Sequence, residues 1–189
     1  MSFCLGKCRV TVGYEAVAAL TAVLVLDGEN RIVLCIAAAL LHELGHLLMM
    51  LFCGVGVRGI SLRLFDVQIS ADSPGSFRDD VMVTLGGPIV NLLLAAVFVP
   101  AGSFFGYANL ALGCFNLLPV MSLDGGRLMV LLLSRHFDAR ICDRAVKITS
   151  FLLLLPLMTA GIYTLFRSGY NYSLLIVSLY LTAVLLIKK

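Results

Sequence analysis

The sequence predicts an all-α polytopic membrane protein with about six transmembrane helices, a short cytoplasmic-side β-hairpin after the second, and a broken fourth helix. Three observations predict it. The 189-residue chain is 60% hydrophobic with a mean hydropathy of +1.02, whereas soluble domains are roughly 45–50% apolar. Its apolar residues gather into six runs, at about 10–26, 32–53, 81–100, 107–133, 148–166 and 172–187; a bilayer core about 30 Å thick needs roughly 20 such residues per helix. The basic residues are sorted by side. With six spans both termini share a side, and a cytoplasmic assignment gives that side Lys7, Arg9, Arg58, Arg63, Arg78, Arg135, Arg140, Arg144, Lys147, Lys188 and Lys189. The opposite side receives only Arg31 and Arg167, as the positive-inside rule requires.

The net charge is only +3, and no clustered basic face of the kind that binds nucleic acid is visible. The N-terminus runs into an apolar segment with no small-residue cleavage site, so no cleaved signal peptide is expected. One domain over residues 1–189 is expected, located in the cell membrane with both termini cytoplasmic.

The first run carries Glu15, an intramembrane carboxylate expected to turn into the bundle or to reach Lys7 or Arg9. The second run, Ile32 to Cys53, holds His42, Glu43 and His46 at its centre. Ionisable groups at that depth cost roughly 2.5–3.5 kcal/mol each on insertion scales. The spacing H-E-x-x-H puts both imidazoles on one helix face, four residues apart, with a carboxylate beside them. That arrangement suits a metal ion and a general base.

Residues 54–80 form the only sizeable polar region. Ile60, Leu62 and Leu64 alternate with Ser61 and Arg63, then Val67 and Ile69 alternate with Asp66, Gln68 and Ser70. The phase flips at Leu64–Phe65, so two short strands are expected, followed by a loop at Asp72-Ser73-Pro74-Gly75. They are either a structural hairpin or an edge able to pair with an extended substrate.

The third run contains Gly86-Gly87-Pro88-Ile89-Val90-Asn91. Small residues let membrane helices approach closely. Asn91 is either interhelical glue or a donor lining a cavity. The fourth run is too long for one straight span and is interrupted at Asn116-Leu117-Leu118-Pro119 and at Asp124-Gly125-Gly126. Irregular backbone at membrane depth occurs where it is buried in protein or lines a wet cavity. The last two runs carry Pro156, Tyr163, Tyr170 and Tyr172, read as a kink and interfacial aromatics. The six cysteines are expected to stay reduced, none falling in an external loop.

A catalytic zinc takes three protein ligands and keeps one open position. The third histidine, His136, falls in a charged loop and is expected to be solvated. Asp124 is the better partner. It lies about 11 residues, ~16 Å, inside its helix end, and the histidine pair about 9 residues, ~14 Å, inside theirs. With Glu43 and Asp124 ionised, a divalent ion brings the site to neutrality. The rival reading makes Asp124 a cap on the second half-helix.

HELGH in the second run, GPIVN in the third and FNLLPVMSLDGG in the fourth together resemble the site-2 protease family of intramembrane zinc metalloproteases. The likeness is greatest to the bacterial branch of sporulation pro-sigma-factor processing enzymes, and it covers about residues 30–130. The resemblance implies a single catalytic Zn²⁺ held by His42, His46 and Asp124, with Glu43 as the base. It also implies that Asn91 and Asn116 handle substrate backbone. The substrate would be a membrane-anchored protein cut within or next to its transmembrane segment, in contact with the lipid bilayer, and a regulatory membrane protein is a further candidate partner. Many members carry a PDZ or CBS domain, for which no room is seen here. The two rival functions are a metal-ion transporter, which should show motifs repeated in two halves, and a catalytically inactive membrane regulator, which should have lost part of the constellation.

Overall fold

The computed structural model describes residues 2–5, 8–12, 31–63, 66–71, 76–168 and 173–187. In chain order these form strands β1 (Ser2–Leu5) and β2 (Cys8–Val12), helix α1 (Arg31–Phe52), strands β3 (Val57–Arg63) and β4 (Asp66–Ala71), and then five helices. The five are α2 (Phe77–Phe98), α3 (Phe104–Asn116), α4 (Asp124–Leu133), α5 (Ala139–Ser168) and α6 (Ser173–Ile187). The chain divides into two compact units, Met1–Cys114 and Phe115–Lys189.

Among the described residues, three helices are long and apolar enough to cross a membrane: α1, α2 and Ala139–Arg167 of α5. Their surfaces match that role. Leu51, Phe52, Leu93, Val97 and Phe166 are all exposed, Phe52 at 81% and Phe166 at 84%. A soluble monomer rarely shows contiguous apolar surface on that scale, whereas lipid tails solvate it. The chain is a multi-pass membrane protein.

In the first unit the helix ends are set by local chemistry. α1 stops at Gly54, whose φ of +68° is reached cheaply only without a Cβ. Gly54 N–H then donates to Leu51 O and Val55 N–H to Met50 O, the paired closure of a Schellman motif. α2 starts with a capping box: the Ser76 side chain accepts from Asp79 N–H, and the Asp79 carboxylate accepts from Ser76 N–H at 3.0 Å. The two helices touch backbone to backbone. A Cβ placed on Gly45 would lie 2.5 Å from Gly86 O, and one on Gly86 would lie 2.6 Å from Gly45 O. A Cβ at either position would force the two backbones apart.

The same unit carries a four-stranded sheet in the order β1-β2-β3-β4. β3 and β4 pair antiparallel from Val57↔Ala71 to Arg63↔Asp66. Residues 64–65, where the alternation flips, and 72–75, the expected loop, lie outside the described residues. β2 pairs parallel to β3, Arg9 against Gly59 through Val12 against Leu62. Residues 10–12, expected to open the first span, are therefore strand, as their β-branched run Val10-Thr11-Val12 favours. The rest of that expected span, with Glu15, lies outside the described residues.

The fourth apolar run is divided as its interruptions suggested, with 117–123, in the second unit, leaving helical geometry between α3 and α4. α5 begins at Ala139, well before the apolar run at 148, and continues through Pro156. The core of the second unit is Val120, Leu154 and Leu181, each at most 3% exposed, with Leu118, Leu123 and Leu157 packed around them. Among the described residues, Cys53, Cys114 and Cys142 form no disulfide.

Candidate metal centre

His42 and His46 stand one turn apart on α1, so both imidazoles leave the same face. Their rings are edge to face with centroids 4.8 Å apart, and the two Nε2 atoms are 3.2 Å apart. Each ring is held by its other nitrogen. His46 Nδ1 donates to the Val83 carbonyl at 2.7 Å. His42 Nδ1 donates to Asn91 Oδ1 at 2.5 Å. With Nδ1 protonated on both rings, a neutral imidazole carries its lone pair on Nε2. Two Nε2 lone pairs 3.2 Å apart repel each other unless a cation lies between them. Two nitrogens bound tetrahedrally at about 2.0–2.1 Å are separated by about 3.3 Å. The donor set and its spacing fit one metal ion.

Both anchors of the pair come from α2, and so does the space in front of it. A Cβ on Gly87 would lie 2.5 Å from His46 Nε2 and 2.7 Å from His42 Nε2. The two glycines seen in the sequence thus do separate jobs: Gly86 admits the backbone of α1, and Gly87 leaves the imidazole tips their room. Asn91 is completely buried. Besides accepting from His42, it donates through Nδ2 to Ala38 O at 3.2 Å and to Asn109 Oδ1 at 2.7 Å. Asn109, itself fully buried, donates to Phe105 O at 2.8 Å.

Asp124 is placed by a different device. It is the first residue of α4; the N-cap position belongs to Leu123, which makes no side-chain cap bond, so Asp124 does not occupy the capping position weighed for it. A carboxylate in the first turn is favoured by the helix dipole. The stretch before it satisfies its own backbone: Leu118 N–H donates to Phe115 O, Val120 N–H to Leu118 O and Leu123 N–H to Val120 O. Met121 N–H donates to Ser150 Oγ of α5 at 2.8 Å, and that hydroxyl donates on to Val146 O at 2.6 Å. Gly125 and Gly126 let the stretch lie directly on α4, since a Cβ on either would overlap Leu117 O or Val120 O.

Among the described residues, His42, His46 and Asp124 make a group that could hold a metal ion, their ligand atoms all within 4.8 Å of one another. Glu43 follows His42 on α1 and is half-buried; Asn116 is the last residue of α3 and also half-buried. His136 is exposed, as its charged loop predicts. Sequence reasoning missed Asn109 altogether and saw Gly87 only as a packing residue. The signal for Asn109 was present: an amide in an apolar helix, flanked on the same face by Gly106 and Gly113.

Comparison with known proteins agrees with this geometry. Residues 101–159 match the model of peptidase family M50. The chain is 30% identical over 145 residues to stage IV sporulation protein FB of Bacillus subtilis, covering 69% of this chain and 50% of that protein. It is 29% identical over 118 residues to zinc metalloprotease MJ0392 of Methanocaldococcus jannaschii, covering 56% of this chain and 34% of that one. The chain belongs to peptidase family M50, the site-2 proteases. It spans about half the length of the sporulation protein and about a third of the archaeal one. The fold is likewise that of a solved structure, the site-2 protease from Methanocaldococcus jannaschii, with a TM-score of 0.68 and 21% identity over 96% of this chain and 92% of that one. Three residues of the motifs that suggested the family, His42, His46 and Asp124, are the ones grouped as possible metal ligands.

Proposed function

We propose that this chain is an intramembrane zinc endopeptidase that hydrolyses a peptide bond within or beside the transmembrane segment of a membrane-anchored substrate. The observation that carries the reading is the grouping of His42, His46 and Asp124 as potential ligands, on a helix that also bears Glu43. The zinc metalloprotease name of an archaeal relative supports the choice of ion. Zinc in such a site supplies Lewis acidity to a carbonyl and to water.

The chain's own residues do the rest. The Nδ1–H donations to Asn91 and Val83 keep both Nε2 lone pairs aimed at the ion. Glu43 takes a proton from the attacking water and returns it to the leaving amine. Asn116, at the end of the interrupted run, handles substrate backbone opened from its own helix, whereas Asn91 acts by holding His42, where its hydrogen bonds go. The outer edge of β4, the last strand in the sheet order, is a further surface for an extended chain. Six spans, cytoplasmic termini and a sheet on the cytoplasmic rim complete the reading, supported by the distribution of Lys and Arg.

The test is Glu43→Gln in the full chain, reconstituted with a single-span substrate. Zinc content should stay stoichiometric while cleavage falls by about 10²–10⁴-fold, the usual span for a general base. Cleavage by that variant near the wild-type rate would refute the base assignment. A wild-type chain that binds zinc and moves it across vesicles without cutting substrate would favour the transporter.

A further inference from the structure

We propose that Asn109 is a positioning residue for the metal centre, setting through Asn91 which ring nitrogen of His42 carries the proton. This rests on the metal site proposed above.

The argument is one of hydrogen-bond polarity. A backbone carbonyl can only accept. Asn109 Nδ2 faces Phe105 O at 2.8 Å, so its Oδ1 is the atom turned to Asn91. Asn91 Nδ2 donates to that oxygen at 2.7 Å and to Ala38 O at 3.2 Å, which turns its own Oδ1 to His42 Nδ1 at 2.5 Å. An amide oxygen can only accept, so Nδ1 donates and Nε2 keeps the lone pair. Two carbonyls on separate helices, Ala38 on α1 and Phe105 on α3, thus dictate the direction of the whole chain of bonds. A flipped Asn91 would offer N–H to Nδ1, drive the proton to Nε2 and remove a ligand atom from the site.

Asn109 is placed for this by the build of α3. The buried residues of that helix are Gly106, Asn109 and Gly113, one face at helical spacing. A Cβ on Gly106 would lie 2.5 Å from the Phe98 backbone, and one on Gly113 would lie 3.2 Å from Asn91 Cβ. The small residues bring α3 against α2, and the amide between them meets Asn91 with both side chains at zero exposure. Water cannot replace it there, and linked bonds in a dry site reinforce one another.

The chain has only three histidines, which makes the tautomer measurable. The full-length protein is labelled with ¹⁵N-histidine, freed of metal and held in detergent micelles. Long-range ¹H–¹⁵N correlation then reports the protonated ring nitrogen, with His46→Gln and His136→Gln assigning the signals. His42 should be protonated on Nδ1 in the wild type. Asn109→Leu should give mixed His42 tautomers and weaken zinc, measured by chelator competition, by about tenfold, the low end for residues that orient ligands. Asn109→Asp keeps an acceptor toward Asn91 in either protonation state and should stay within about twofold of wild type.

A wild-type His42 protonated on Nε2 overturns the proposal. So does an Asn109→Leu variant with a pure Nδ1–H tautomer and unchanged zinc affinity, or equal loss in the Leu and Asp variants. If Asn109→Leu does not fold, the wild-type spectrum and Asn109→Asp decide. A wild type with the Nδ1–H tautomer but no zinc binding upholds the relay and overturns the metal reading instead.

Discussion

The two histidines and the aspartate reach the same kind of task by opposite routes. The imidazoles sit mid-helix on α1, braced by α2, and each has its second nitrogen assigned to a named acceptor, Val83 O or Asn91 Oδ1. The carboxylate stands at the first residue of α4, after seven residues of non-helical chain held by local backbone bonds, by Ser150 and by two glycines with no room for a Cβ. The difference follows from the ligands. An imidazole offers one lone pair in one plane, and a wrong tautomer removes it altogether, so it needs rigid neighbours and a polar partner. A carboxylate has two equivalent oxygens and no tautomer to fix. It needs only to be delivered to the right place, and backbone can do that.

The comparison breaks most completely if a ligand is removed. Asp124→Ala and His46→Ala should each lower zinc affinity by more than the 10–100-fold typical of residues that merely orient ligands. Metal analysis of the purified chains checks this. Unchanged zinc content in Asp124→Ala would remove the aspartate from the site.

A sharper probe separates Gly86 from Gly87. In Gly87→Ala the nearest atoms to the new methyl group are the tips of His42 and His46, side chains that can turn aside. The fold should survive, while zinc affinity should drop by about 10–100-fold, as for other residues that orient ligands. In Gly86→Ala the methyl group meets the backbone carbonyl of Gly45 and Met49 Cγ. Two helices must part, at an expected cost of about 1–3 kcal/mol, read as a lowered thermal midpoint. Equal loss of stability in both variants would merge the two roles into one packing stripe.

Much of this was legible in the sequence, for identifiable reasons. The HELGH spacing forces two imidazoles onto one face wherever the helix forms, and the depth of Asp124 could be counted from the end of its run. The break between Asn116 and Asp124 was legible because Pro119 and the paired glycines interrupt an otherwise helical pattern. The strand at Cys8–Val12 was not, because Val10-Thr11-Val12 continues into an apolar run and its parallel partner Gly59–Leu62 is distant in sequence. Asn109 was missed because an amide in an apolar helix declares a need for partners without naming them; Phe105 O is one turn back on its own helix, but Asn91 becomes its partner only once Gly106 and Gly113 have closed the helices together. Ser150 was invisible for a related reason. A serine inside a helix usually bonds back to its own turn, and nothing in the run around it points to Met121.

That serine supplies the gentlest test of the aspartate's side of the comparison. Ser150 Oγ takes the Met121 N–H and passes its own proton to Val146 O. Ser150→Ala leaves the part-buried Met121 N–H without its serine acceptor, at a cost of about 1–3 kcal/mol, while Asp124 and its helix stay chemically intact. If the stretch 117–123 delivers the carboxylate as argued, thermal stability should fall by a few degrees and zinc affinity by only about two- to threefold, well below the range for residues bonded directly to a ligand. A loss as large as that of Gly87→Ala would mean that the carboxylate is as intolerant of displacement as the imidazoles. Loss of stability with no change in zinc affinity would mean that Asp124 is fixed by the first turn of α4 alone, and that the clamp serves the fold without reaching the ion.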